Sequence, residues 1–170
     1  MTDAEALYDD LAGIVDLFGA LSRAELGRAL DELAFKQGRD ADADALSAAV
    51  EDAVREYYLV AYDRDGVELL VPGPAAFPSL PENAEDLPHI LDVDRREVDG
   101  EAAADATLAR LRSDADAAVE AGDDDRIEHL LDVTYDAELW APGGANVDLS
   151  GETDANVESV RSRLEGALDA

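Results

Sequence analysis

The sequence predicts a mainly α-helical protein with one small β-hairpin. Apolar residues recur at intervals of three and four over most of the 170 residues, which is the pattern of amphipathic helices. Two short β-rich runs are joined by a turn sequence, and five of the six prolines fall between residues 72 and 88. These observations divide the chain into a first domain over residues 1–72, a proline-rich strap over 73–98 and a C-terminal helical region over 99–170.

Three helices are predicted in the first domain. The first covers residues 4–20. Ser22 has the position of an N-cap for the second helix, Glu25 completes a capping box, and Gly38 ends that helix. The third helix begins among the carboxylates of residues 40–44, which suit a helix N-terminus. The predicted buried faces consist of Leu7, Leu11, Ile14, Phe18 and Leu21, then Leu26, Leu30 and Leu33, and finally Leu46, Ala49, Val50, Ala53 and Val54.

A β-hairpin is predicted after the third helix. Its strands are residues 57–62 and 67–71, and the sequence Asp63-Arg64-Asp65-Gly66 between them has the composition of a tight turn. Three helices followed by a hairpin is the order of a winged helix-turn-helix domain, in which the hairpin is the wing. A generic three-helix bundle with an incidental hairpin and another small α+β fold are the alternatives.

The proline-rich strap has the composition of a stiff and extended segment. Phe77, Leu80 and Leu87 interrupt its prolines, and apolar residues continue to Val93. Because these side chains need a surface to bury against, we predict an ordered strap packed across the first domain, with His89 partly buried in it. The alternative is a detachable segment recognised by an aromatic groove of another protein.

The C-terminal region is predicted to form helices over residues 100–121, 124–139 and about 154–168. The last of these has only a narrow apolar seam, which is typical of a helix that docks on one partner. We therefore predict an exposed apolar edge at Val157 and Leu164 that contacts a partner.

The charge composition predicts an environment more clearly than a chemistry. The chain carries 42 acidic residues against 13 basic ones, a net charge of −29, and Lys36 is its only lysine. Such a surface repels itself in dilute buffer, whereas in molar salt the Debye length falls to about 3 Å and the repulsion is screened. Together with the absence of cysteine, of a basic leader sequence and of a membrane-length apolar run, this predicts a soluble protein of an extreme halophile's cytoplasm.

Residues for catalysis or metal binding are few. There are two histidines, no cysteine, and neither a nucleophile elbow nor a glycine-rich phosphate loop. Asp125, His129, Asp132 and Asp136 share one helical face, but acidic faces without metal are expected in so acidic a chain. We predict no enzyme activity, no metal and no cofactor.

A winged helix-turn-helix domain usually places its third helix in the major groove of DNA. Here the exposed side of that helix offers four carboxylates against Arg55, so DNA reading by this helix is disfavoured. The basic residues of the second helix can instead form ordinary pairs such as Arg28 with Glu32 and Glu32 with Lys36, or a contact patch for a partner. The candidate contact residues for a partner or nucleic acid are Arg28, Lys36, Arg39, Arg55 and Arg64.

Four segments carry a resemblance to a known family. They are Val15–Leu21, Ala34–Gly38, Ala76–Pro78 and Glu85–Val93. With these segments the chain resembles an uncharacterised haloarchaeal family, one of the numbered domains of unknown function, over most of residues 5–140. The resemblance implies a source and a single family, and it brings no activity, ligand or catalytic residue with it.

The sequence thus favours a non-enzymatic winged-helix regulatory or adaptor protein that acts mainly through protein–protein contacts, with an unknown partner or with its own copy. The alternative is a DNA-binding transcriptional regulator that uses the wing and the second helix. An enzyme is the third and least favoured interpretation.

Overall fold

The computed structural model describes residues 3–36, 38, 42–81, 84–142 and 156–169. It confirms a mainly helical chain with a small antiparallel hairpin. The chain forms two compact units, Met1–Asp99 and Gly100–Ala170, so the strap belongs to the first unit. Among the described residues, no helix combines the length and the apolar character needed to cross a bilayer.

The first two helices are α1 (Asp3–Phe18) and α2 (Arg23–Lys36). The predicted capping box is present at the start of α2: the Glu25 N–H donates to Ser22 Oγ at 3.2 Å, and the Ser22 N–H donates to Glu25 Oε1 at 2.9 Å. Gly38 has φ +69° just beyond α2, the left-handed conformation that ends many helices.

Helix α3 (Ala43–Arg55) begins at Asp42, whose carboxylate accepts the Ala45 N–H at 3.1 Å. It ends in a Schellman motif. The Tyr58 N–H donates to the Ala53 carbonyl at 2.9 Å and the Tyr57 N–H to the Val54 carbonyl at 3.2 Å. The left-handed position of this motif is Tyr57, with φ +68° where glycine is usual, and its ring is fully buried. The predicted strand start at residue 57 is therefore wrong.

The hairpin consists of β1 (Leu59–Arg64) and β2 (Val67–Pro72). Arg64 pairs with Val67, so Asp65 and Gly66 form a two-residue turn, and both have positive φ as a type I′ turn requires. The α1–α2 connection adds an isolated antiparallel bridge from Leu21 to Leu70 of β2. The hairpin is thereby held against the helices by main-chain bonds.

One hydrophobic core joins all parts of the first unit. It contains residues of α1, α2, α3, both strands and the strap, among them Leu11, Ile14, Phe18, Leu26, Leu30, Val50, Leu59, Leu70 and Leu87. Four predicted core residues are less buried than expected. Leu7 is 39% exposed near the start of α1, and Leu46, Ala49 and Val54 of α3 are only half-buried.

The strap lies on α1. The Ser79 N–H donates to the Asp9 carbonyl at 3.0 Å, and the buried Asp9 carboxylate accepts the Phe77 N–H at 2.9 Å. A short helix, α4 (Leu87–Leu91), buries Leu87 in the core. Several strap side chains that were predicted to be buried are exposed, because the strap contacts α1 mainly through its backbone. They are Phe77, Leu80, His89 and Ile90.

The second unit consists of α5 (Gly100–Ala121), α6 (Asp124–Leu139) and α7 (Val157–Asp169), which pack against one another. Val157 and Leu164 are fully buried in it, and Val157 packs with Ala104 of α5 and Ala137 of α6. The prediction that these two residues form an exposed edge for a partner is wrong. The narrow seam of α7 docks within the chain instead.

Candidate interaction surface

The solvent-facing side of α3 and the hairpin form one candidate surface. Along α3, the exposed polar side chains are Asp42, Asp44, Ser47, Glu51, Asp52 and Arg55, and along the hairpin they are Asp63, Arg64, Asp65 and Glu68. Carboxylates outnumber guanidinium groups on both elements. The surface therefore attracts cations and repels phosphate groups.

Arg23, the first residue of α2, neutralises part of this surface. Its Nε donates to Glu51 Oε1 of α3 at 2.6 Å, and its Nη1 forms an ion pair with Glu68 of β2. A single guanidinium thus joins the second helix, the third helix and the hairpin. The partners of the Arg23 guanidinium are therefore residues of the first unit itself.

A small apolar groove runs between α2 and α3 beside this ion pair. Its volume is about 190 Å³. The α2 wall consists of Arg23, Gly27, Leu30 and Asp31, and the α3 wall consists of Ala43, Leu46, Ser47, Val50 and Glu51. Both sets follow helical spacing, so each helix presents one continuous stripe to the groove.

Arg64 of the hairpin, although exposed, also has a hydrogen-bond partner within the first unit. Its Nη1 donates to the Glu97 carbonyl of the strap at 2.8 Å. Beside it lies an open pocket of about 430 Å³ that is lined by Arg64, Asp65, Val67, Leu69, Arg96 and Glu97. The Arg64 guanidinium of the hairpin therefore contacts the strap.

Two strap arginines satisfy the carbonyls at the C-terminal end of α1, which have no partner within the helix. Arg95 Nη1 donates to the Asp16 and Leu17 carbonyls, each at 3.2 Å. Arg96 donates its backbone N–H to the Phe18 carbonyl at 2.8 Å, and its Nη1 donates to the Ala20 carbonyl, two residues beyond α1, at 3.1 Å. Positive charge at this helix end is favourable because of the helix dipole.

The Arg96 guanidinium also forms a two-bond ion pair with Glu25, at 2.6 and 3.0 Å. The hydrogen bonds from Arg96 are the main reason why the pKa of Glu25 falls from 4.5 to about 2, and the Ser22 bonds of the capping box lower it further, while burial opposes both. The same pair raises the pKa of Arg96. The strap is thereby fastened to the start of α2.

The candidate contact residues from the sequence lie on separate elements. Arg28 and Lys36 are exposed on α2, Arg55 is exposed at the end of α3, and Arg64 is exposed at the hairpin turn. Arg39 lies outside the described residues. Neither the α2–α3 groove nor the pocket beside Arg64 brings two of these residues together.

Sequence reasoning did not identify the groove, the role of Arg23 or the strap arginines. The adjacent pair Arg95-Arg96 is conspicuous in so acidic a chain and could have been noticed. Nothing in the sequence indicates which carbonyls these arginines bind, because their partners are about 70 to 80 positions away.

In α6, the face with Asp125, His129, Asp132 and Asp136 does not assemble a metal site. Among the described residues, no group of three or more potential metal ligands is close enough to hold an ion. Partial burial, and then the neighbouring Asp132 carboxylate, raise the pKa of Asp136.

The fold and this surface define a small, mainly helical protein with an acidic exposed helix and a fastened hairpin. The chain belongs to a family of unknown function, DUF7109, which matches residues 9–169. The match continues past residue 140 through α7, further than the four sequence segments suggested. No curated protein and no solved structure matches the chain.

Proposed function

We propose that this chain is a non-enzymatic winged-helix regulatory or adaptor protein of a halophile, and that it acts mainly through contacts with another protein. The composition supports the halophilic part, because a net charge of −29 is compatible with a stable compact state when salt screens the repulsion.

The winged-helix assignment is supported by the order of elements and by one main-chain contact. Helices α1, α2 and α3 precede the hairpin. The Leu21–Leu70 bridge adds the α1–α2 connection to the hairpin, with N–H to carbonyl distances of 3.1 and 2.7 Å in its two bonds. This bridge argues against a helix bundle with an incidental hairpin, because it makes the hairpin part of the same small sheet.

The observation that carries the choice of a protein partner is the state of the basic groups beside α3. Arg23 is engaged by Glu51 and Glu68, and Arg64 donates to the Glu97 carbonyl. DNA binding requires cations for phosphates and donors for base edges, and exposed carboxylates oppose both. A protein segment that carries lysine or arginine suits the same surface.

The test is co-purification from a native lysate of the source organism in molar KCl, with one half of the sample treated with nuclease. We expect a defined protein to be retained in both halves. The double variant Asp44→Asn, Asp52→Asn removes two exposed carboxylates from α3 and should reduce that retention. Asp105→Asn with Glu120→Gln, which changes two exposed carboxylates of α5, is the matched control and should not.

Two outcomes would contradict the proposal. Recovery of DNA in the untreated half, lost together with the protein after nuclease, would favour a DNA-binding regulator. Equal retention by the α3 variant and the α5 variant would show that the acidic face of α3 is not the contact.

A further inference from the structure

We propose that the groove between α2 and α3 receives one apolar side chain from a basic segment of another protein. This inference rests on the proposed function, since it names the chemistry of the partner and the place where it is anchored. Four features of the groove lead to it: its size, its apolar floor, the open space above Gly27 and the charge of its rim.

The size fits a side chain better than a metabolite. Ligand pockets in proteins usually measure about 300–1,000 Å³, whereas this groove measures about 190 Å³. Its floor is apolar: Leu30 and Val50 are each 7% exposed, and Leu46 beside them is half-buried. An aliphatic or aromatic group from outside would cover the part of Leu46 that the chain itself leaves uncovered.

The groove is open above Gly27. A Cβ atom built at this glycine meets no atom within 4 Å, although the residue lies in the middle of α2. A glycine in a helix interior costs about 1 kcal/mol relative to alanine. Because Gly27 has no side chain, the space above it on the α2 wall is open to a group from outside.

The rim of the groove is negative. Asp31 and Glu51 stand on opposite walls, and Glu68 of β2, which does not line the groove, pairs with Arg23 at its edge. The one cation on this rim, among the described residues that line the groove, is Arg23, and it is bound by both glutamates. An entering segment therefore finds an apolar floor flanked by carboxylates, which selects arginine or lysine beside the apolar anchor.

The apolar part of this contact gains importance in high salt. At molar ionic strength the Debye length is about 3 Å, so long-range attraction is screened and only contact ion pairs remain. Burial of an apolar side chain does not depend on that attraction. A second copy of the chain is a poor occupant, since it would bring its own excess of carboxylates to a negative rim.

The experiment uses the full chain and a fluorescently labelled helical peptide, in which leucine occupies one face and arginine the other. Binding is measured by fluorescence anisotropy in 2 M KCl. The variant Gly27→Leu fills the groove without a backbone clash and raises helix propensity, so its far-UV circular dichroism should match or exceed that of the wild type. We expect the affinity for the peptide to fall at least about tenfold, as for the loss of an anchoring residue.

The matched control is Gly166→Leu. Gly166 is also helical, in α7 of the second unit, and a Cβ there meets no atom within 4 Å. This variant should bind the peptide as the wild type does. A peptide with glutamate in place of arginine should bind at least about tenfold more weakly, because it cannot form the contact ion pairs with the rim carboxylates that remain at this salt concentration.

Several results would overturn the proposal. They are no saturable binding of the arginine peptide to the wild type, equal binding to both glycine variants, and dimerisation of the wild type that Gly27→Leu abolishes. The proposed function is judged separately: if Gly27→Leu still retains a protein from the lysate while the α3 charge variant does not, the groove proposal fails and the acidic-face proposal stands.

Discussion

Two identical substitutions in neighbouring helices should change stability in opposite directions. Gly13 of α1 and Gly27 of α2 are both helix-interior glycines. Alanine at either position gains about 1 kcal/mol in helix propensity. At Gly27 nothing opposes that gain, so Gly27→Ala should stabilise the first unit by about 0.5–1 kcal/mol.

At Gly13, contact with the strap outweighs the gain in helix propensity. A Cβ there would lie 2.0 Å from the Ser79 carbonyl oxygen and 2.9 Å from the Ser79 nitrogen, whereas ordinary contact begins at 3.4 Å. Because all the nearest atoms are backbone atoms, the strap must move away. Its movement lengthens the hydrogen bonds that Ser79 and Phe77 make to Asp9, whose carboxylate is buried at 5% exposure.

The expected cost of Gly13→Ala follows from these contacts. Overpacking costs about 1–3 kcal/mol, and a buried acceptor left without its donor costs about 1–3 kcal/mol. After the gain of about 1 kcal/mol in helix propensity, we expect a net destabilisation of about 1–5 kcal/mol. For a unit of this size, at about 5 °C per kcal/mol, that lowers the midpoint of thermal unfolding by roughly 5–25 °C.

The assay is thermal unfolding in 3 M KCl, followed by far-UV circular dichroism, with Trp140 emission as a separate reading of the second unit. Gly27→Ala serves as the matched control, since the chemical change is the same. If Gly13→Ala is as stable as the wild type, the strap backbone does not pack on α1 at Gly13, and the reasoning is refuted.

Three further predictions concern salt, acid and the core. Lowering KCl below about 1 M should reduce the helical circular dichroism signal, as screening of the carboxylates is lost, and a signal that is unchanged in dilute buffer would contradict the halophilic interpretation. The depressed pKa of Glu25, about 2, contributes stability that is complete above its unfolded value of 4.5 and is lost as the pH falls towards 2. After a discount for the partial exposure of Arg96, this contribution to the free energy of unfolding is on the order of 2 kcal/mol. In denaturant unfolding, Glu25→Gln should therefore be less stable than the wild type by that amount at pH 6, and the two proteins should be equally stable near pH 2. Leu30→Ala should cost about 2–5 kcal/mol in denaturant unfolding and Leu46→Ala clearly less, because Leu46 is only half-buried, and equal costs would contradict this ranking.

The parts of the fold that depend on local chemistry could be predicted from the sequence. The capping box of Ser22 and Glu25 and the turn at Asp65 and Gly66 each involve residues a few positions apart, so their residue types determine the geometry. The end of α3 was placed less well. A Schellman motif normally has glycine where this chain has Tyr57, and here burial of the ring holds a backbone conformation that local preference disfavours.

The candidate site depended on contacts that no local pattern encodes. Gly13 and Gly27 look equivalent in the sequence, yet one is covered by the strap backbone and the other borders an open groove. Similarly, the narrow seam of α7 correctly indicated a docking helix, but periodicity does not tell whether the partner lies in the same chain. In this protein Val157 packs against α5 and α6.

Several of the few arginines of this chain bind main-chain carbonyls through their guanidinium groups. Arg95 binds the Asp16 and Leu17 carbonyls at the end of α1, and Arg96 binds the Ala20 carbonyl just beyond it. Arg161 binds the Thr134 carbonyl and lies 4.0 Å from the Tyr135 ring centroid. A guanidinium suits these positions because it offers five donors in a rigid plane and remains charged. Arginines used in this way are not available to neutralise phosphates. The outer face of α3 carries mainly carboxylates, and this supports our proposal that a basic protein segment, rather than a nucleic acid, contacts it.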